Sequence, residues 1–134
     1  MKGLRSAKEQ SICHRDIKPA NILLSVDEDK GEICYKLADW GEGNRLKEDE
    51  KNKVSKHTIR GTLGYMAPEL SKYYDSEKEE LIESEAEYDP FAADIYSTGK
   101  VIEKVLEVTE GKVDELIELS QKMKMGIEKR WTVE

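Results

Sequence analysis

Between Ala92 and Val108 the apolar residues Ile95, Ile102, Val105 and Leu106, with Val101 beside them, return at the spacing of one helix face. Gly111 follows as a stop. Val113, Leu116, Ile117 and Met123 repeat the pattern and end near Gly126, so helices are expected over about 92–108 and about 112–125. Two amphipathic helices need partners for their stripes, and the rest of the chain offers few. Hydrophobic residues make up 37% of it and charged residues 38%, against roughly 45–50% apolar in an ordinary compact domain.

The other elements read as short. Residues up to about Ser11 look like the end of a helix. Asn21–Ser25 and Glu32–Ala38 flank a connection whose Asp29 and Gly31 are turn residues, which makes a hairpin. Trp40 to Thr62 has little periodicity and reads as one long ordered or switchable loop, a length that is usually functional. The expected class is α+β, mainly helical, with one small β-hairpin and a modest core.

The 134 residues suit one small domain or a piece of a larger one. No apolar run reaches the roughly 18 residues of a membrane span, and Lys2, Arg5 and Lys8 precede no apolar stretch of the secretory kind. Cys13 and Cys34 form neither a disulfide framework nor a metal-ligand spacing. An intracellular, reducing compartment fits, the cytoplasm or the nucleus. The net charge of −7 argues against a general nucleic-acid binder, whose affinity rests on basic contacts to phosphate. That charge is concentrated: Asp75 to Asp89 holds eight acidic residues and one lysine, a local −7. Such a run is either a solvated, partly helical surface insertion or an electrostatic selector for basic partners.

Chemistry concentrates in His14-Arg15-Asp16-Ile17-Lys18-Pro19-Ala20-Asn21, followed at once by an apolar strand. This stretch resembles the catalytic loop of protein kinases, H-R-D-x-K-x-x-N. Asp39-Trp40-Gly41 resembles the family's metal motif, with Trp in place of Phe. Gly61-Thr62 through Ala67-Pro68-Glu69 is similar to the end of its activation segment. Asp94-Ile95-Tyr96-Ser97-Thr98-Gly99 is similar to the start of its central helix, and Arg130 stands where the family has an arginine near the domain's end. Five blocks in the family's order make a specific signal.

The resemblance implies a partial protein kinase domain over 1–134: catalytic loop 14–21, metal motif 39–41, activation segment 39–69, and a fold like the family's C-terminal lobe without its N-terminal lobe. It further implies ATP and Mg²⁺ as cofactors and a protein substrate. Asp16 would orient the substrate hydroxyl, Lys18 would steady the transferring phosphate, and Asn21 and Asp39 would offer oxygens to Mg²⁺. Leu23 and Ala38 would line the adenine side. Lys18 and Thr62 point to the serine/threonine class. Arg15 would bind a phosphorylated loop, with Ser55 and Thr58 as candidate acceptors. Glu69 and Arg130 would form a buried pair, and Asp94 would accept hydrogen bonds from the His14–Arg15 backbone.

The chain departs from the family in three ways. It has no glycine-rich phosphate loop or lysine strand, so a small lobe would have to come from a longer gene product. Trp40 is bulkier than Phe. Only Thr109-Glu110-Gly111 or so joins the two C-terminal helices, where the family has a further helix. Two alternatives stand beside a truncated kinase: a kinase-derived interaction module without catalysis, and a small acidic helical adaptor whose motifs are accidental.

Overall fold

The computed structural model describes residues 2–50, 53–109 and 114–126. In chain order the elements are helix α1 (Lys2–Glu9), strands β1 (Ile12–Cys13), β2 (Ile22–Asp27), β3 (Glu32–Leu37), β4 (Asn44–Arg45) and β5 (Ser55–Thr58), helix α2 (Pro68–Ser71), strands β6 (Tyr74–Asp75), β7 (Glu80–Leu81) and β8 (Glu85–Tyr88), and helices α3 (Pro90–Val108) and α4 (Asp114–Met123).

Helix α3 is the axis of the structure. It begins two residues before the apolar stripe because Asp89 caps it, accepting from the N–H groups of Phe91 (2.9 Å) and Ala92 (3.2 Å), with Pro90 in the first turn. Ile95 packs with Met123 of α4, and Leu4, Ile102 and Leu119 close around them, so α1 and α4 both lean on α3. Gly99 lets α4 approach: a Cβ there would lie 2.9 Å from Met123 Cβ and 3.1 Å from the Ser120 carbonyl oxygen. Ser120 Oγ donates to the Gly99 carbonyl at 2.9 Å in the buried seam. Glu103 takes both Lys100 and Lys124, fastening the end of α4 to α3. Val105, expected on the buried stripe, is exposed.

The described residues hold four two-stranded antiparallel ladders rather than the one hairpin expected: β1–β4, β2–β3, β5–β8 and β6–β7. The β2–β3 hairpin runs in register from Ile22↔Leu37 to Asp27↔Glu32 and turns through Gly31 at φ 65°. Its pairs Leu24↔Tyr35 and Val26↔Ile33 lie on one face, and all four side chains are exposed. The stretch 40–62 is therefore not one loop. Its start pairs through β4 with β1, a 3-10 turn spans Glu48–Glu50, and β5 pairs with β8.

The acidic stretch also differs from expectation. It is not helical but forms β6, β7 and β8. A helix there would stack Glu79, Glu83 and Glu87 at i, i+4, where like charges repel. The alternation Glu85-Ala86-Glu87-Tyr88 instead buries Ala86 and Tyr88 and turns the glutamates outward. Lys56 of β5 takes Glu85 at 2.9 Å. Ala86 and Tyr88 join Ile59, Met66, Ala67, Leu70 and Ala93 in the largest core cluster.

The α3–α4 seam makes a direct test. Gly99→Val should destabilise by about 1–3 kcal/mol through overpacking. Gly3→Ala in α1, where an added Cβ meets nothing within 4 Å, should gain up to about 1 kcal/mol. Urea denaturation of both variants reads the two signs.

Candidate active site

The site is built on a buried carboxylate at the start of α3. Asp94 Oδ2 accepts from the His14 N–H at 2.6 Å, and its Oδ1 accepts from the Arg15 N–H at 2.7 Å. Arg15 sits at φ 67°, a left-handed conformation that costs a non-glycine residue of order 1 kcal/mol or more. The two bonds to one carboxylate hold that conformation in place. Burial pushes the Asp94 carboxyl up to about 6, against the opposing pull of the two N–H groups.

His14 is itself buried and extends the anchoring. Asp16 N–H donates to His14 Nδ1 at 3.3 Å, which puts the ring proton on Nε2, facing the Ala38 carbonyl at 3.0 Å. The ring lies 4.6 Å from that of Trp40, tilted by 58°. Trp40 Nε1 in turn donates to the Leu37 carbonyl at 3.3 Å. The loop at 14–16 and the turn at 38–40 are thus joined through one imidazole.

Asp16, Lys18, Asn21 and Thr62 come together. Thr62 Oγ1 donates to Asp16 Oδ1 at 2.7 Å, Lys18 Nζ lies 2.9 Å from Asp16 Oδ2, and Lys18 Nζ donates to Thr62 Oγ1 at 2.8 Å. Asn21 Nδ2 donates to the Asp16 carbonyl at 2.8 Å and to its Oδ2 at 3.2 Å. Burial alone would raise the Asp16 carboxyl, but the Thr62 and Lys18 hydrogen bonds, the Lys18 charge and the Asn21 bond outweigh it and hold the group below the usual carboxylate range. Asp16 is therefore an ionised acceptor at neutral pH, already engaged by an alcohol.

The base of the β2–β3 hairpin brings Asp39 near this group, because Ala38 N–H donates to the Asn21 carbonyl at 2.9 Å. Asp39 is exposed, at φ 56°, and its Oδ1 accepts from Gly41 N–H at 3.4 Å. Leu23 is exposed on the hairpin opposite Lys36, and Ala38 is half-buried at its foot. Among the described residues no three His, Cys, Asp or Glu side chains cluster as a metal cage. Two oxygen donors, the Asn21 side-chain amide Oδ1 and the Asp39 carboxylate, are of the hard type that suits Mg²⁺ bound chiefly through phosphate and water.

Arg15, Glu42 and Thr58 form a second group, and Ser55 lies apart from it on β5. Arg15 Nε donates to the Glu42 carbonyl at 2.6 Å and its Nη1 to the Thr58 carbonyl at 3.4 Å. Ser55 Oγ lies 2.8 Å from His57 Nε2. Arg60 pairs with the Glu42 carboxylate at 2.7 Å. Gly61, at φ 126°, lets the chain pass: a Cβ there would lie 3.1 Å from the Arg15 carbonyl oxygen. Glu69 lies in the first turn of α2, whereas Arg130 falls outside the described residues. The sequence reading missed Glu42, Arg60 and Tyr88, and it missed the Thr62–Asp16 contact. Of these only Tyr88 carried a local signal, the alternation of residues 85–88.

A sequence model described as "Protein kinase domain" matches residues 1–125. The chain is 36% identical over 97 residues to serine/threonine-protein kinase ksp1 of Schizosaccharomyces pombe, covering 72% of this chain and 17% of that protein. It is 36% identical over 104 residues to serine/threonine-protein kinase PTK1/STK1 of Saccharomyces cerevisiae, covering 75% of this chain and 15% of that one. It is 38% identical over 113 residues to the probable LRR receptor-like serine/threonine-protein kinase RFK1 of Arabidopsis thaliana, covering 82% and 9%. The chain thus spans less than a fifth of the length of these relatives. It belongs to the eukaryotic-type protein kinase family, among the serine/threonine kinases.

The Asp94 anchor has a pH signature. A carboxyl whose folded-state value lies above the unfolded one, about 3.9, adds stability below that value and loses it as pH rises through about 6. Asp94→Asn leaves one backbone N–H without an acceptor and should cost about 1–3 kcal/mol. That cost should be largest near pH 4 and shrink toward pH 7, as read by denaturation midpoints of both proteins across the range.

Proposed function

We propose that these residues form the large-lobe half of a protein serine/threonine kinase site, which transfers the γ-phosphate of ATP to a hydroxyl of a protein substrate. The observation that carries this reading is the Asp16 carboxylate, ionised and accepting an alcohol proton from Thr62 at 2.7 Å beside the Lys18 ammonium. A substrate serine or threonine would take the same kind of bond. Asp16 aligns the nucleophile, and alignment is most of what a loose phosphoryl transfer asks of the protein. Lys18 sets a cation where negative charge develops. Asn21 and Asp39 hold Mg²⁺, which neutralises the phosphate oxygens when bound. Leu23 and Ala38 line the adenine side.

The glycine-rich phosphate loop and lysine strand of the family do not occur within these 134 residues, and the proposed catalysis takes place with a small lobe present. The 134-residue polypeptide alone should transfer phosphate far more slowly than the roughly 1–100 s⁻¹ of complete kinases. No described helix is long and apolar enough to cross a membrane, and an intracellular site of action is part of the proposal.

With a small lobe supplied by fusion, Asp39→Asn should weaken Mg²⁺-dependent nucleotide binding at least tenfold. Asp16→Asn should leave that affinity within about twofold and abolish turnover, because its contact forms with the nucleophile. Fluorescent-nucleotide titration and a phosphate-transfer assay separate the two. Equal loss of affinity in both would exclude these roles.

The acidic stretch bears on substrate choice. Its six glutamates between Asp75 and Asp89 should favour basic peptides, and the preference should weaken with salt, because exposed charges are screened over about 10 Å at 0.1 M. Changing all six to glutamine in the active fusion should reduce the ratio of kcat/KM for basic over neutral peptides. An unchanged ratio would leave the stretch without a part in selection.

A further inference from the structure

Two positions of the segment between the metal motif and Thr62 are tied to one guanidinium, and the later of them is tied again from behind. Arg15 donates to the carbonyls of Glu42 and Thr58. The Thr58 carbonyl also accepts from the Tyr88 hydroxyl at 3.0 Å. Tyr88 belongs to β8, which pairs with β5 over Ser55↔Tyr88, Lys56↔Glu87, His57↔Ala86 and Thr58↔Glu85, and the ladder extends to Ile59 N–H on the Ser84 carbonyl at 2.9 Å. The Tyr88 ring is 1% exposed and meets the His57 ring edge to face at 5.5 Å.

We propose that strand β8 and the Tyr88 hydroxyl, acting with Arg15, hold residues 55–62 in their ordered path in the unphosphorylated chain, so that Tyr88 is a positioning residue and no phosphate on Ser55 or Thr58 is required. This rests on the kinase reading only for the name of the segment. The physical reasoning is one of alternatives. A loop without regular partners must be ordered by some added attraction, and a phosphate facing an arginine supplies it through charge-assisted bonds. Here a ladder of backbone bonds and one buried hydroxyl supply it instead.

Charge points the same way. Ser55 stands opposite Tyr88, between Val54 and Lys56 in sequence and across from a strand that carries Glu85 and Glu87 and is followed by Asp89. A phosphate on Ser55 would add two negative charges beside this acidic strand, where like charges repel. It would also displace the Ser55–His57 hydrogen bond. Burial, with Arg15 adding to it and Glu50 and Asp89 opposing it, holds His57 below its ordinary range, so its ring is neutral and offers a phosphate no full charge.

Amide hydrogen exchange read by mass spectrometry tests this on the chain as it is, without any need for catalysis. The protein is produced in bacteria, its phosphate content is checked by intact mass, and a phosphatase-treated sample is run beside it. Tyr88→Phe keeps the ring and deletes only the hydroxyl. The expected result is that peptides covering residues 55–62 exchange about 3–10-fold faster in Tyr88→Phe, while peptides from α3 and α4 are unchanged and phosphatase has no effect on the parent protein. Protection of 55–62 that collapses on phosphatase treatment would overturn the proposal. So would exchange in Tyr88→Phe that matches the parent, or that rises equally in α3 and α4. Should Tyr88→Phe fail to fold, Arg15→Lys gives the same reading, because a single ammonium cannot span the Glu42 and Thr58 carbonyls. If these exchange results hold but a fusion that supplies a small lobe shows no phosphate transfer, the kinase reading fails and the holding of the segment stands.

Discussion

One buried carboxylate governs the site. Asp94 leaves α3 inside the core and offers both oxygens to consecutive N–H groups of a loop 80 residues earlier in the chain. That grip fixes Arg15 in a left-handed conformation, and the rest of the constellation inherits its geometry. The Arg15 side chain is sent toward Glu42 and Thr58, while the next residue, Asp16, faces Lys18, Asn21 and Thr62. The position of Asp94 is secured by the helix that carries it, which is capped at Asp89 and braced along its length by α4 through Gly99. The burial that raises the Asp94 carboxyl is the cost of placing a loop anchor in the core.

The two halves of the constellation respond oppositely to protons. Asp16 is held below the usual carboxylate range by donors that favour its charge, whereas Asp94 is pushed above it because burial outweighs its two backbone donors. Similar chemistry is thereby divided by environment into an ionised acceptor that faces Lys18 and Thr62 and a buried anchor. His14 sits between them, its Nδ1 on the Asp16 amide and its backbone N–H on Asp94.

Much of this was legible in the sequence where the signal is local. Of the expected helical stripe, Ile95 and Leu106 are buried with Val101 beside them, Ile102 is half-buried and Val105 is exposed, and the turn at Gly31 closes the hairpin between Ile22 and Leu37. The residues 14–21 and 39 carried enough motif to name a family. What escaped was long-range or masked by charge. Nothing near Thr62 announces a bond to a carboxylate 46 residues away. The strand at 85–88 is only four residues long, and its two glutamates weigh more in a charge profile than Ala86 and Tyr88 do. The expectation of one long loop from Trp40 to Thr62 failed for the same reason, since β5 has its partner in that acidic strand.

The β2–β3 hairpin has a practical side. Among the described residues it is a two-stranded ribbon with both outer edges unpaired, and one face presents Leu24, Val26, Ile33 and Tyr35 to solvent. Open strand edges beside a contiguous apolar face are what let β-ribbons adhere to one another. The isolated polypeptide therefore carries its own tendency toward self-association. The hairpin's own charges, Asp27, Glu28, Asp29 and Glu32 against Lys30 and Lys36, oppose that tendency, while the acidic run at 75–89 lies outside it. Concentration and ionic strength during purification consequently set whether this chain is handled as single molecules or as clusters, before any question of its chemistry arises.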